Sequence, residues 1–167
     1  MVTGRDAAHK YMIETFIRAS DVPEAERGLY AELQSLLAGR VIYHCGPVVR
    51  RVPGSGDEGD ETWAFVAAGP TTSIREEVYE PEVIEHFGLR GVIGKGGMGP
   101  RTLRACADHG AVYFHAVGGA ASLIADAVQE VVAVHKKEAF GVPEAFWVVR
   151  VEDFPVVVTM DTHGRSI

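Results

Sequence analysis

Residues 67–77 read AAGPTTSIREE, which places three hydroxyls and an arginine directly behind an apolar run. Pro70 fixes its own φ and biases Gly69 away from helix, so the run should end there. Ser73 and Glu76 have the spacing of a capping box, which predicts a helix starting near Ser73. Thr71 and Thr72 then stand before that helix, where free amides and the positive end of the dipole attract an anion. Arg75 falls in the first helical turn and opposes the dipole, so a negative group should balance it. A bound carboxylate would match its guanidinium fork. These residues alone leave two readings open: a helix cap with a turn, or an anion site.

A second candidate is GVIGKGGMGP, residues 91–100. It is not a phosphate-binding GxxxxGK[ST] loop, because Gly96 follows Lys95, and no early strand-turn-helix unit frames it as a dinucleotide fingerprint. It offers a lysine at the end of an apolar strand, flanked by residues without side chains. Lys95 is therefore either a solvated tip or an ammonium that reaches an anion. In GRDAAHK, Arg5 precedes a helix for which Asp6 is a plausible cap, and His9 reads as a structural or surface residue. The seven histidines show neither HExxH nor Cys/His ligand spacing, and Cys45 and Cys106 cannot supply three ligands of a cluster. No metal ligand is expected on this chain. Tyr43, Tyr113, Trp63 and Trp147 lie in strand-like runs and read as core or interface residues. The inventory describes a pocket for an acidic small molecule, short of a complete catalyst.

The elements that must position these groups alternate. Helical periodicity marks 6–19 and 24–37, with Gly39 ending the second. RVIYHCGPVVR and WAFVAAG read as strands around an acidic hairpin loop at 53–61. Beyond them, PEVIEHFG, PRTLRACADHG and ASLIADAVQEVV read as helices, and RGVIG, AVYFHAV, FWVVRVE and VVVTMD as strands. Short apolar strands alternating with helices predict an α/β layer architecture. A length of 167 residues suits one domain, 1–167, and 47% apolar with 23% charged residues is ordinary globular composition. No 18-residue apolar run is present, two cysteines suggest a reducing cytoplasm, and a net charge of -7 disfavours nucleic acid and anionic membranes.

GRDAAHK, YHCGP, GPTTSIR, VIGKGGM, AVGGAA, VPEAFWVVRVEDFP and DTHG, in that order, resemble the beta subunit of two-subunit class I fumarate hydratase. The beta subunit of L(+)-tartrate dehydratase is similar in the GPTTS and GKGGMGP segments. The resemblance implies a swivelling β/β/α domain with a mixed sheet and flanking helices. It also implies leading strands that this chain lacks before GRD. It implies a hydro-lyase that interconverts fumarate and (S)-malate, with conversion of tartrate to oxaloacetate as the alternative. A [4Fe-4S] cluster is expected on a partner alpha subunit and not on this chain, within a heterotetramer that has a beta-beta contact. Carried over residue by residue, Thr71 becomes the proton-transfer residue and Thr72 a substrate contact. Arg5, Arg75 and Lys95 become carboxylate-binding residues for a C4-dicarboxylate. Ile74 and Glu76-Glu77 depart from the usual pattern, and a glutamate after Arg75 is expected to alter the charge near the pocket. A non-catalytic domain that binds a small acid or serves assembly is the reading from another class.

Overall fold

The computed structural model describes residues 1–53 and 62–167. The expected acidic hairpin loop falls almost wholly outside them. Among the described residues, seven strands form one mixed sheet: β1 (Val2–Thr3), β2 (Val41–Tyr43), β5 (Gly91–Gly94), β6 (Val112–His115), β7 (Val128–His135), β8 (Phe146–Val151) and β9 (Val157–Met160). Their order is β7-β8-β1-β2-β5-β6-β9. The central four strands run parallel, with Val2 beside Ile42, Ile42 beside Val92 and Val92 beside Tyr113. β8 and β9 flank them antiparallel, and β7 pairs antiparallel with β8. A separate antiparallel hairpin joins β3 (Val48–Val52) to β4 (Thr62–Ala67).

Alternation along each strand divides the core into layers. Ile42, Val92, Tyr113, Phe146 and Val148 face one side. There they pack on α1 (Asp6–Met12), α2 (Arg27–Leu37), α3 (Glu80–Phe87) and α4 (Pro100–His109) through Ala8, Met12, Leu33, Leu37, Ile84 and Cys106. Their neighbours Tyr43 and Ile93 face the other way, against Ala68 and the short helix α5 (Ala121–Asp126). Trp147 meets Trp63 and Phe65 of the hairpin edge to face, with centroids 5.7 and 5.9 Å apart. Hairpin, sheet and helices thus form the three layers of a β/β/α domain. Each fully buried Leu, Ile or Phe in such a core contributes roughly 1.5–3 kcal/mol.

Three local expectations change. Residues 127–132 do not continue α5: the helix stops at Asp126, and β7 begins at Val128. VQEVVAVH is rich in β-branched valine, and β8 offers it an open edge to pair with, so tertiary pairing overrides the helical pattern. The first helix widens into a π-helical segment at Ile13–Ile17. Residues Ser73–Val78 form a 3-10 helix, not an α-helix, and no side chain caps it.

Candidate active site

β2 and β5 are parallel neighbours that separate at their carboxyl ends, and residues 71–73 are wedged between them. On one side the Thr71 amide donates to the His44 carbonyl at 2.6 Å. On the other, the Ser73 amide donates to the Lys95 carbonyl at 2.9 Å and the Lys95 amide to the Thr71 carbonyl at 3.3 Å. Thr72 and Lys95 thereby pair as a parallel bridge. Topology explains the placement, because clefts of open α/β sheets lie beyond the carboxyl ends of parallel strands. Thr72 is exposed, Thr71 and Lys95 are half-buried, and Lys95 makes no ion pair among the described residues.

Arg5 leaves the end of β1 next door, where the Gly4 amide donates to the Tyr43 carbonyl at 3.0 Å. Its stem crosses Gly46, where an added Cβ would lie 2.6 Å from Arg5 Cδ. Arg5 Nε stands 3.3 Å from Glu144 Oε1, and the Ala7 amide donates to Glu144 Oε2 at 2.9 Å. Glu144, not Asp6, therefore serves the amino end of α1. Asp6 holds the two arginines together: its Oδ2 lies 2.7 Å from Arg75 Nη2 and 3.8 Å from Arg5 Nη2. The charge that Arg75 required is supplied from inside the chain.

Ser73 turns inward, and this is why no capping box forms. Its Oγ lies 2.8 Å from His44 Nδ1 and accepts a hydrogen bond from the Tyr113 hydroxyl at 2.9 Å. His44 Nε2 reaches Glu80 Oε2 at 2.8 Å. His9 Nε2 stands 3.0 Å from that same oxygen, out of line for a hydrogen bond, while His9 Nδ1 lies 3.0 Å from the Arg5 carbonyl. All five side chains are buried completely. Burial alone would lower the His9 pKa, but the carboxylates of Glu80 and Glu76 raise it to about 9. Burial keeps His44 below the ordinary imidazole range. Burial opposes ionisation of Glu80 as well, yet the two histidines draw it down to about 2. Glu76, 3.7 Å from His9 Nδ1, is pushed up to about 7 by burial.

The departures at 76 and 77 leave the pocket. Glu76 is buried beside His9, and Glu77 points to the start of α4. There Glu77 accepts from the Gly99, Arg101 and Thr102 amides at 2.8, 2.9 and 3.3 Å. A groove of about 380 Å³ between α3 and α4, lined by Glu82, Glu85, Arg101 and Arg104 among others, contains none of the five candidate residues.

The family model for the fumarase C-terminus matches residues 1–167. The chain belongs to the fumarase C-terminus family. It is 48% identical over 165 residues to a putative fumarate hydratase class I of Geobacillus stearothermophilus, covering 99% of this chain and 28% of that protein. It is 39% identical over 168 positions to the L(+)-tartrate dehydratase subunit beta of Escherichia coli (strain K12), covering 100% of this chain and 73% of that one. A putative L(+)-tartrate dehydratase subunit beta of Methanocaldococcus jannaschii is 36% identical over 166 residues, 99% of this chain and 76% of the relative. The chain therefore spans little more than a quarter of the fumarate hydratase and about three quarters of the two beta subunits.

In this fumarase C-terminus domain the expectation about metal must be corrected. No metal ligand was expected on this chain, and the cofactor was expected on a partner. His9, His44 and Glu80 overturn that. Their ligand atoms lie within 4.8 Å of one another, and together they can hold a metal ion. Two imidazoles and a carboxylate are a donor set suited to zinc and other first-row cations. Sequence spacing concealed them, because α1, the end of β2 and the start of α3 each contribute one residue. A [4Fe-4S] cluster does not fit the thiols of this chain. Cys45 lies in the core on the hairpin side and Cys106 in the core on the helix side. Burial pushes both thiols up to about 12, so neither offers a thiolate.

Proposed function

We propose that this chain forms the dicarboxylate-binding part of a hydro-lyase that adds water to fumarate, giving (S)-malate, or runs the reverse, in an assembly with a partner subunit. The observation that supports it most is the wedge at 71–73, whose backbone bonds bring Thr71 and Thr72 beside Lys95 at the strand ends, with Arg75 following and tied through Asp6 to Arg5. Lys95 is bridged to Thr72, and Arg75 is joined to Arg5 through Asp6, so in this reading local charge, not the average of -7, favours an acidic ligand. The two arginine forks and the Lys95 ammonium hold the two carboxylates, and Asp6 keeps the forks together until substrate arrives.

Hydration forms a C–O bond at one alkene carbon and a C–H bond at its neighbour. In this reading Thr71 stands at the carbon that gains or loses the proton, and Thr72 orients the substrate. A threonine hydroxyl is a weak acid and a weak base, so its contribution comes from fixed geometry and from a neighbouring carboxylate. A second reading keeps the same pocket and takes L(+)-tartrate, which loses water to give oxaloacetate. The favouring observation is the end-to-end match to tartrate dehydratase beta subunits.

Steady-state kinetics on the native enzyme, with fumarate, (S)-malate and L(+)-tartrate, test the assignment. Thr71→Ala is expected to lower kcat and kcat/KM together, by roughly 10²- to 10⁴-fold. Lys95→Met is expected to act chiefly on KM. Wild-type kcat in Thr71→Ala would return Thr71 to the role of a turn hydroxyl.

A further inference from the structure

The buried set beneath the pocket does no chemistry in the reaction proposed above, yet it touches every strand end that carries a pocket residue. Hydrogen-bond directions follow from the chemistry of the groups. The Arg5 carbonyl only accepts, so His9 Nδ1 donates to it. Tyr113 donates to Ser73 Oγ, which leaves the serine hydrogen for His44 Nδ1. His44 Nε2 then carries its own hydrogen and donates to Glu80 Oε2. His9 Nε2 faces that same oxygen at 3.0 Å, a charge contact rather than a hydrogen bond. Glu80, the first residue of α3, is therefore a junction. One imidazole leads from it to the backbone of Arg5. The other leads to Ser73 and, through the His44 carbonyl, to the amide of Thr71.

We propose that Glu80 is the positioning residue of this pocket: its carboxylate ties His9 and His44 together and so holds Arg5 and the Thr71–Ser73 segment in fixed register. The kinetic consequence rests on the hydro-lyase reading, whereas the geometric claim does not. Two further observations support it. The backbone is cleared for the chain of bonds at Gly94, where an added Cβ would lie 1.7 Å from Ser73 Oγ and 3.1 Å from His44 Nδ1. The set is also a costly way to fill a core, because apolar replacements of buried ionic groups are often neutral or stabilising. Stability alone does not account for two imidazoles converging on one fully buried carboxylate oxygen.

Glu80→Gln and Ser73→Ala, made singly and together in the native enzyme, test the proposal. Glu80→Gln is expected to lower kcat roughly 10- to 100-fold, because pocket geometry degrades while the carboxylate-binding cations remain. KM should rise by a smaller factor than kcat falls, because Arg75 and Lys95 still bind carboxylate when Arg5 is displaced. The double variant should turn over no more slowly than the worse single one, since both changes break the same chain. If Glu80→Gln does not fold, His9→Asn with Ser73→Ala makes the same comparison. Unchanged kcat, losses that multiply in the double variant, or one equivalent of metal present in wild type and absent from Glu80→Gln would each overturn the proposal. If wild type acts on none of the three substrates, the hydro-lyase reading fails, and amide resonances then decide about Glu80. Arg5, Thr71 and Ser73 should shift together in Glu80→Gln; shifts confined to α3 would overturn it.

Discussion

Replacing Gly94 by alanine is a sharp test of the packing beneath the cleft, because the new methyl collides with one identified atom. It would lie 1.7 Å from Ser73 Oγ, 3.1 Å from Ser73 Cβ and 3.1 Å from His44 Nδ1. Ser73 must rotate away and give up its bonds to His44 and Tyr113. Overpacking costs about 1–3 kcal/mol, and each buried partner left unsatisfied costs a further 1–3 kcal/mol or so. Gly94→Ala should therefore destabilise by about 3–4 kcal/mol. Ser73→Ala loses the same two bonds without a clash and should cost about 2 kcal/mol. In the double variant the nearest contact is back to 3.1 Å, and the bonds can be lost only once. The double variant should cost about 3–4 kcal/mol, not the sum, which is a coupling of about 2 kcal/mol. Urea denaturation of the four proteins, with m-values unchanged, measures it. Additive costs would refute the reasoning and show that Gly94 does not act through the Ser73 hydroxyl.

Two further outcomes follow from contacts outside the cleft. Glu77→Ala removes the side-chain acceptor at the start of α4, and by analogy with lost helix caps should cost about 1–2 kcal/mol, with faster amide exchange at Arg101 and Thr102. Unchanged exchange there would show that water replaces the cap without cost. At the Lys136–Glu26 pair, hydrogen bonds from Lys136 and then Tyr11 lower the Glu26 pKa, so the pair's stabilisation is complete above the unfolded carboxylate pKa. It is lost as pH falls through the lower folded value. Lys136→Met should cost about 1 kcal/mol near neutral pH and progressively less below about pH 4. A difference that stays constant from pH 7 to pH 3 would contradict the assignment.

The layer architecture was legible because most of its strands are short apolar runs bounded by glycine, proline or charge. RGVIG and FWVVRVE are examples. β7 was not legible: VQEVVAVH follows a helical stretch without punctuation, and only the open edge of β8 decides its conformation. At the cleft, Thr71, Thr72, Arg5, Arg75 and Lys95 stood out as polar groups beside glycines at strand ends. Their neighbours were hidden for different reasons. Ser73 presented a capping box to the eye, whereas its hydroxyl is engaged by His44 and Tyr113 across the chain. The counter-charge of Arg75 is Asp6, from the other end of the sequence. His9, His44 and Glu80 share no local spacing, and only the parallel stacking of β1 beside β2, with α1 and α3 on one face, brings them together. One faint signal existed: a histidine between Tyr43 and Cys45 in an apolar strand end requires a buried partner.

The central claim is that the cleft between the ends of β2 and β5 receives a C4-dicarboxylate. Titrating the isotopically labelled protein with (S)-malate, and following backbone amides together with the arginine and lysine side-chain resonances, tests it most directly. Saturable shifts are expected at Arg5, Thr71, Thr72, Arg75 and Lys95, weakened in Lys95→Met and absent with a monocarboxylate at the same concentration. Saturable shifts confined to the α3–α4 groove around Arg101 and Arg104, with Thr71, Thr72 and Lys95 unmoved, would contradict it.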